Sequence, residues 1–495
     1  MPDILLTTIN ARYTHAAFGL RYLLANLGPL QSQATLLEFD LEKRTLEMAE
    51  AILATQAKIV GVGVYIWNAE PAARLVALLK HIRPELIIIL GGPEVSHETD
   101  RQAIIQTADY VICGEGEVAF RELCQVLLSG TRPTERIIHP PPPPLDQLQL
   151  PYDLYTREDI QHRLVYVEAS RGCPFKCAFC LSALDQKVRR FPQERFLDGL
   201  DQLYKQGLRA FKFVDRTFNL EVNHSLAILH FFLERLTPDL FLHFEVIPDR
   251  LPEPLKEIIA RFPEGILQFE VGIQSYHQGA RESINRRQDD QAAHDNLLWL
   301  CNQTGVHLHT DLIAGLPHED LISFAAGFDR LVAISPQEIQ VGILKRLRGT
   351  PLLDLEKEHG LIFNPAPPYD LLENKLISFT EMARIRRFAR YWEMIGNSGR
   401  FTHTRELMVA GGSPFRDFMK LSDWLFEETG RTHRIALRKL FRLVYWGLLK
   451  GVGLDTKRCL EAVGRDFTHI FKEEKIAWLQ TPPSPGKQSK THKAA

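Results

Sequence analysis

The chain has 495 residues, 45% of them hydrophobic and 24% charged, a balance that excludes a disordered or fibrous protein. A formal net charge of -2 gives no global electrostatic reason for nucleic acid or an anionic membrane to be the main partner, so a small or neutral ligand is expected. No run approaches the ~20 apolar residues that cross a bilayer, the N-terminus lacks a signal-peptide layout, and seven cysteines are too few and too unevenly placed for a disulfide scaffold, so a cytoplasmic protein with reduced thiols is expected.

From Ile4 to Leu128, short β-branched runs alternate with amphipathic stretches, the pattern of a parallel sheet covered by helices on both faces. Five strands are predicted, at Ile4–Thr8, Ala34–Phe39, Ile59–Tyr65, Leu86–Leu90 and Tyr110–Cys113. Segments such as Ala69–Ile82 and Val118–Leu128 carry helical periodicity between them, so residues 1–139 are expected to form a doubly wound, flavodoxin-like α/β domain. Pro140 to Pro144 have no amide hydrogens to give to a sheet and favour extended geometry, which reads as a stiff spacer within a linker at 140–163.

A second series of strands follows, at Leu164–Ala169, Ala210–Val214, Phe241–Val246, Leu267–Val271, His307–Ile313 and Glu338–Leu344, and predicts a partial (β/α)6 barrel over 164–365. Alternation of side chains along each strand sorts them onto two faces. Tyr166, Glu168 and Ser170 share one face, as do His243 and Glu245, then Gln268, Glu270 and Gln274, and His307, His309 and Asp311. An interior that only packs would be apolar, and buried charges are costly unless paired or solvated, so this lumen is expected to hold a polar ligand. The alternative is a set of mutually satisfied buried ion pairs.

Residues 366–480 read as helical. Ser378-Phe379-Thr380-Glu381 is a capping box, Gly396 a stop, and Ile385, Phe388, Ala389, Trp392 and Ile395 form one apolar face between arginines. Arg434, Arg438 and Arg442 mark a second helix; such a face can grip phosphates, but it is read as the helix's solvated side. Residues 481–495, rich in Pro, Ser and Lys, are expected to be disordered.

Directly after the first barrel strand stands Arg171-Gly172-Cys173-Pro174-Phe175-Lys176-Cys177-Ala178-Phe179-Cys180, with C-x3-C-x2-C spacing. Three thiolates in one loop can wrap the corner of a 4Fe-4S cubane and leave its fourth iron open, with Gly172 and Pro174 letting the backbone curl. The alternatives are a zinc site, which would want four closed ligands where no second pair is at hand, or three buried structural cysteines. The loop follows the carboxyl end of a strand, where barrel active sites form. Cys113, Cys124, Cys301 and Cys459 have no ligand-like spacing and are read as small hydrophobes.

Over residues 164–344 this sequence resembles the radical S-adenosylmethionine (SAM) superfamily, on the cysteine motif with Phe179 before its last cysteine. The resemblance implies that the open iron chelates SAM and cleaves it to a 5′-deoxyadenosyl radical. It places Phe179 beside the adenine, and Asp215, in Val214-Asp215-Arg216-Thr217-Phe218, at the methionine amino group, although Arg216 stands at the second acidic position of the family pattern. It places Glu270, Gln274 and Arg286 at the ribose and carboxylate, and Gly315 of Gly315-Leu316-Pro317 near the adenine.

Joined to a flavodoxin-like domain, the barrel is similar to the cobalamin-binding branch of the superfamily. With Asp215 to Asn219 and Asn397-Ser398-Gly399-Arg400-Phe401, the whole chain resembles a bacterial group of that branch with a helical C-terminal domain. The resemblance brings Gly91, Gly92, Pro93 and Glu94, with Gly114, Glu115 and Gly116, against a corrin, since glycine turns admit a bulky planar group. The loop Tyr13-Thr14-His15-Ala16-Ala17-Phe18-Gly19 departs from the D-x-H-x-x-G pattern, which implies cobalt without a histidine from this loop and leaves His15 a loop or interdomain contact.

The expected protein is an oxygen-sensitive radical enzyme acting on a small or unknown substrate, with an electron donor such as flavodoxin or ferredoxin. C-methylation leads; a radical rearrangement, cyclisation or oxidation with cobalamin assisting or absent, and a non-catalytic iron-sulfur sensor, are the alternatives. Methylthio transfer is disfavoured because no second cysteine trio precedes the barrel. His243, Glu245, His307 and Asp311 are the candidate proton-handling groups.

Overall fold

The computed structural model describes residues 1–472 and 476–482, so the expectation for the tail falls almost wholly outside the described residues. The first sheet contains β1 (Ile4–Asn10), β2 (Ala34–Asp40), β3 (Ile59–Gly63), β4 (Ile87–Gly91), β5 (Tyr110–Ile112) and β6 (Ile137–Ile138), in the order β2-β1-β3-β4-β5-β6. Every pairing is parallel. All seven residues of β1 are buried, because helices cover both faces and leave no polar side to show. Val60, Val62, Ile88 and Leu90 pack with Ala72, Leu75, Val76 and Leu79 of helix Ala69–Ile82, and on the other face Leu6, Ile59, Ile89 and Ile112 pack with Phe120, Leu123 and Leu127. The alternation predicts a doubly wound domain, and the strand order, which no sequence pattern encodes, is the flavodoxin-like one.

β3 ends at Gly63, two residues before its predicted end. The Asn68 carboxamide accepts from the Tyr65 amide at 2.8 Å and donates to Ile9 O at 3.0 Å and Gly63 O at 3.2 Å, turning the chain away from the ladder. β6 lies at the end of residues 1–139, where no sixth strand is predicted, and is too short to show a pattern.

The second sheet contains β7 (Val165–Val167), β8 (Ala210–Phe213), β9 (Phe241–Val246), β10 (Leu267–Gln274), β11 (His307–Ala314) and β12 (Glu338–Ile343), side by side in chain order and all parallel. β10 and β11 alternate strictly between fully and partly buried residues, the signature of an apolar outer face and a polar lumen. Six strands leave an open barrel with two edges, and unpaired edges invite aggregation. At β7, the loop after β1 closes the edge: Leu164 N donates to Thr14 O at 2.7 Å and His15 forms a bridge to Leu164. At β12, the Asn397 side chain accepts from Ile339 N at 3.0 Å and donates to Ile339 O at 3.1 Å.

The helical region packs on the barrel through aromatic rings. Phe328, on helix Leu321–Ile334, meets Phe388 at 5.1 Å, Trp392 at 4.9 Å and Phe415 at 5.7 Å between centroids. The capping box at Ser378 forms, and helix Phe379–Ile395 stops at Gly396. Arg434 precedes helix Leu437–Gly447 and is exposed; on the helix Arg438 is exposed and Arg442 half-buried, and both lie over the Trp478 ring at 4.6 and 4.7 Å. Among the described residues no helix is long and apolar enough to cross a membrane.

Candidate functional site

The cysteine loop leaves β7 through Gly172, whose φ of +89° and close approach to Lys187 O, 2.5 Å from where a Cβ would stand, admit only glycine. Cys173 N donates to Asp185 O at 2.9 Å, Cys180 N to Cys177 O at 3.0 Å, and Ala178 N to Ile284 O at 2.9 Å, so the loop is pinned at its entry, its turn and its crest. Cys173, Cys177 and Cys180 line one cavity of about 210 Å³ at the carboxyl ends of the barrel strands. Thr217 Oγ1 lies 3.7 Å from Cys173 Sγ, and Arg286 Nη1 lies 3.8 Å from Cys177 Sγ. Burial pushes the Cys177 thiol pKa up, and the Arg286 guanidinium works against it.

Among the described residues no three His, Cys, Asp or Glu side chains converge closely enough to hold a single metal ion. The three thiols surround a cavity instead, which fits an object larger than an ion, as a cubane is. The same cavity holds buried polar atoms without partners: Gln274 Oε1, Arg286 Nε and Gln288 Nε2. Such atoms are costly to bury unless a polar ligand satisfies them, so the site also fits SAM.

Of the residues singled out in the sequence, Phe179, Glu245, Glu270, Gln274, Arg286 and Asp311 line this cavity. Four others are placed elsewhere. The Asp215 carboxylate turns inward, accepting from Ala169 N at 3.0 Å and Ser170 Oγ at 2.6 Å, and burial lifts its pKa to about 6. His243 is buried behind the wall, its Nε2 3.0 Å from Glu270 Oε2, an interaction that lowers the Glu270 pKa. His307 begins β11, at the opposite end of the barrel, and meets Glu338 at 2.8 Å. Gly315 faces the helical region: a Cβ there would stand 2.4 Å from Leu371 Cδ2, and its φ is +92°.

The lumen joins both readings of its polar faces. His243 pairs with Glu270, while His309 lies 3.2 Å from Asp311 and 3.1 Å from Glu338, yet the cavity above keeps unsatisfied atoms. Burial lifts the Glu245 pKa to about 7, against the Arg216 guanidinium 3.3 Å away. Arg216, Thr217, Arg287 and Gln288, which the sequence reading did not assign to the site, also line it. They lie on loops beyond strand ends, where alternation gives no signal.

A second cleft, of about 240 Å³, opens at the carboxyl ends of β3 to β5 and is walled by Gly91, Gly92, Gly114, Glu115 and Gly116, as expected. Gly61, Gly63, Glu117 and Arg171 also line it, with apolar residues such as Leu20, Leu23 and Phe120, and the glycines inside β3 were a legible signal, because glycine in a strand marks close approach. A Cβ on Gly61 would stand 2.9 Å from Leu6 Cδ2, and one on Gly92 2.5 Å from Val64 O. The broad glycine floor and an unpartnered Glu117 Oε2 fit a bulky ligand with amide or hydroxyl donors, as a corrin has. Pro93 and Glu94 do not line the cleft. Glu94 is buried against Arg348, at 2.7 Å, and Tyr369 OH, at 2.5 Å. His15 Nδ1 contacts Tyr166 OH at 2.6 Å, an interdomain contact.

Residues 4–124 match the B12 binding domain, residues 167–329 the Radical SAM superfamily, and residues 357–494 a protein of unknown function family, DUF4080. The cobalamin-dependent radical SAM methyltransferase TokK of Streptomyces tokunonensis is 27% identical over 360 residues, 65% of this chain and 52% of that protein. The 2-(S-pantetheinyl)-carbapenam-3-carboxylate methyltransferase of Streptantibioticus cattleyicolor is 26% identical over 356 residues, 65% of this chain and 51% of that one. The chain thus spans about half the length of these curated relatives. The radical SAM methyltransferase TsrM of Kitasatospora setae superposes with a TM-score of 0.60 at 18% identity, covering 74% of this chain and 82% of TsrM, and shares the fold. The cobalamin-dependent SAM radical enzyme OxsB does so at 0.64 and 12%, covering 96% and 80%.

Proposed function

We propose that this chain, which belongs to the radical SAM superfamily and joins to its barrel a B12-binding domain and a C-terminal DUF4080 segment, is a cobalamin-dependent enzyme that methylates carbon in a small substrate. The observation that carries this reading is a pair of sites joined along the chain: three cysteines around a cavity with orphaned polar atoms, and a glycine-floored cleft bordered by Arg171, two residues before Cys173. The methyltransferase names of the two curated relatives support the reaction class. When bound, the cluster, SAM and cobalamin supply a low-potential electron, a hydrogen-abstracting adenosyl group and a transferable methyl.

The protein's own residues hold and orient. Cys173, Cys177 and Cys180 grip the cluster, and Thr217 and Arg286 direct donors at two of the thiolates, stabilising their negative charge. Gln274, Arg286 and Gln288 offer their free polar atoms to SAM, and Phe179 walls the same space. Glu245, whose pKa stands near 7, can take or give a proton at neutral pH beside the substrate. A one-electron donor of the flavodoxin or ferredoxin class completes the system.

The test is anaerobic reconstitution of the full chain with iron, sulfide and cobalamin, followed by reduction in the presence of SAM. Both 5′-deoxyadenosine and S-adenosylhomocysteine are expected, and neither from the variant with all three loop cysteines changed to alanine. Formation of 5′-deoxyadenosine without S-adenosylhomocysteine would overturn methylation and favour another radical reaction.

A further inference from the structure

Arg171 lines the glycine-floored cleft and stands two residues before Cys173 of the other site. Its side chain is 11% exposed, and its Nη1 lies 2.8 Å from both Glu115 Oε2 and Glu117 Oε1, while Nε lies 3.0 Å from Glu168 Oε2. Its guanidinium is stacked over the Tyr22 ring at 4.8 Å. Glu115, Glu117 and Arg171 all border the glycine-floored cleft, yet the backbone of Arg171 runs through Gly172 straight into Cys173.

The far end of the cysteine loop is tied to the same place. Arg171 pairs with Arg189 in a two-residue antiparallel ladder, and Arg189 bonds both Glu115 and Asp185. Asp185 in turn receives the Cys173 amide through its carbonyl. The neck of the cluster loop is therefore clamped by side chains that wall the other site.

Three carboxylates, Glu115, Glu117 and Glu168, meet the two guanidinium groups of Arg171 and Arg189, so carboxylates outnumber cations at this junction. One acceptor is free: Glu117 Oε2 has no partner although its side chain is 6% exposed. A charged oxygen left so is costly, and a ligand donor in the cleft would satisfy it.

We infer that Arg171 and Glu117 couple the two sites, so that a corrin whose amide or hydroxyl donor meets Glu117 steadies the Arg171 clamp and with it the cluster loop. The inference rests on the proposed reading of the cleft as the corrin site. Because coupling between sites is reciprocal, a formed cluster tightens corrin binding by the factor with which corrin favours the formed cluster.

The experiment titrates hydroxocobalamin into the full-length protein, once with the cluster reconstituted and once with iron removed, following the corrin absorption bands. Wild type is expected to bind at least about fivefold more tightly with the cluster present, the lower end of ordinary coupling. The electron paramagnetic resonance spectrum of its reduced cluster should change when corrin is added. In Arg171→Lys and Glu117→Gln, compared at equal iron and sulfide content and titrated to saturation with corrin, the affinity ratio falls toward one and the spectral change is lost. A ratio of one in wild type, with full iron content and saturable corrin binding, overturns the coupling while leaving the cleft reading intact. Absence of corrin binding in both forms overturns the cleft reading, and the coupling with it. Should a variant fail to fold by circular dichroism, the wild-type ratio and spectrum alone decide.

Discussion

His309 holds two carboxylates at once. Burial alone would strip its proton, but hydrogen bonds to Asp311 and Glu338 overcome that and lift its pKa to about 10, while hydrogen bonds from His307 and His309 pull Glu338 down to about 2. The signs follow from linkage. A raised histidine contributes stability that is complete below its unfolded pKa of about 6.5 and is lost as pH climbs through about 10. A depressed glutamate contributes stability present above its unfolded pKa of about 4.3 and lost as pH falls toward about 2. His309→Gln is expected to lower the urea midpoint at pH 7, and the gap from wild type should narrow steadily between pH 7 and 10. A gap of constant size across that range would show that the proton on His309 contributes nothing. Alternation along the strand placed His307, His309 and Asp311 on one face, but not at one depth. Four residues of strand separate His307 from Asp311 by about 13 Å, so only Asp311 reaches the cysteine cavity. Depth depends on how strands stagger, and no local pattern encodes it.

An open barrel survives only if its edges are answered, and here side chains and loops from outside the barrel answer them. Asn397 satisfies both the N–H and the C=O of Ile339 on β12. Asn397→Leu leaves that backbone pair unsatisfied at a packed seam, and a loss of about 1 to 3 kcal/mol is expected in denaturant unfolding. Asn397→Asp keeps the acceptor for Ile339 N and should lose less; equal losses would show that the seam, not the hydrogen-bond pair, sets the cost. The same logic explains what the sequence could and could not reveal about elements. Continuous β-branched runs in β1, β3 and β4 announce strands buried on both faces, and the strict alternation of β10 and β11 announces a polar lumen. The cysteine loop was legible because its three cysteines lie within eight residues, so spacing alone marks the candidate site. Asp215 and Gly315 follow directly on the expected strands, yet one side chain caps Ala169 and Ser170 and the other residue packs against Leu371. Those orientations come from tertiary neighbours far along the chain.

At the scale of the whole molecule, the first sheet and the barrel are held face to face by buried charge rather than by apolar surface alone. Glu94 and Glu98, which follow the Gly91-Gly92 turn of the cleft, pair with Arg348 and Arg346 beyond β12, and the Tyr369 hydroxyl donates to Glu94. A buried pair is weak evidence of net stabilisation, because both charges had to leave water, but removing one partner strands the other. Arg348→Ala is therefore expected to cost about 3 to 5 kcal/mol, since Glu94, only 6% exposed, keeps a single hydroxyl donor. Adding Glu94→Gln removes the stranded charge, and the double variant should recover a coupling energy of about 0.5 to 3 kcal/mol relative to the sum of the two single changes. The cycle is measured by denaturant unfolding of the full chain, with cleavage by a dilute protease at the 140–151 segment as a second readout of domain release. Strict additivity would sink the idea that this pair fixes the cleft over the barrel. A recovered coupling together with slower cleavage would show that one ion pair sets how the glycine-floored cleft faces the cysteine cavity.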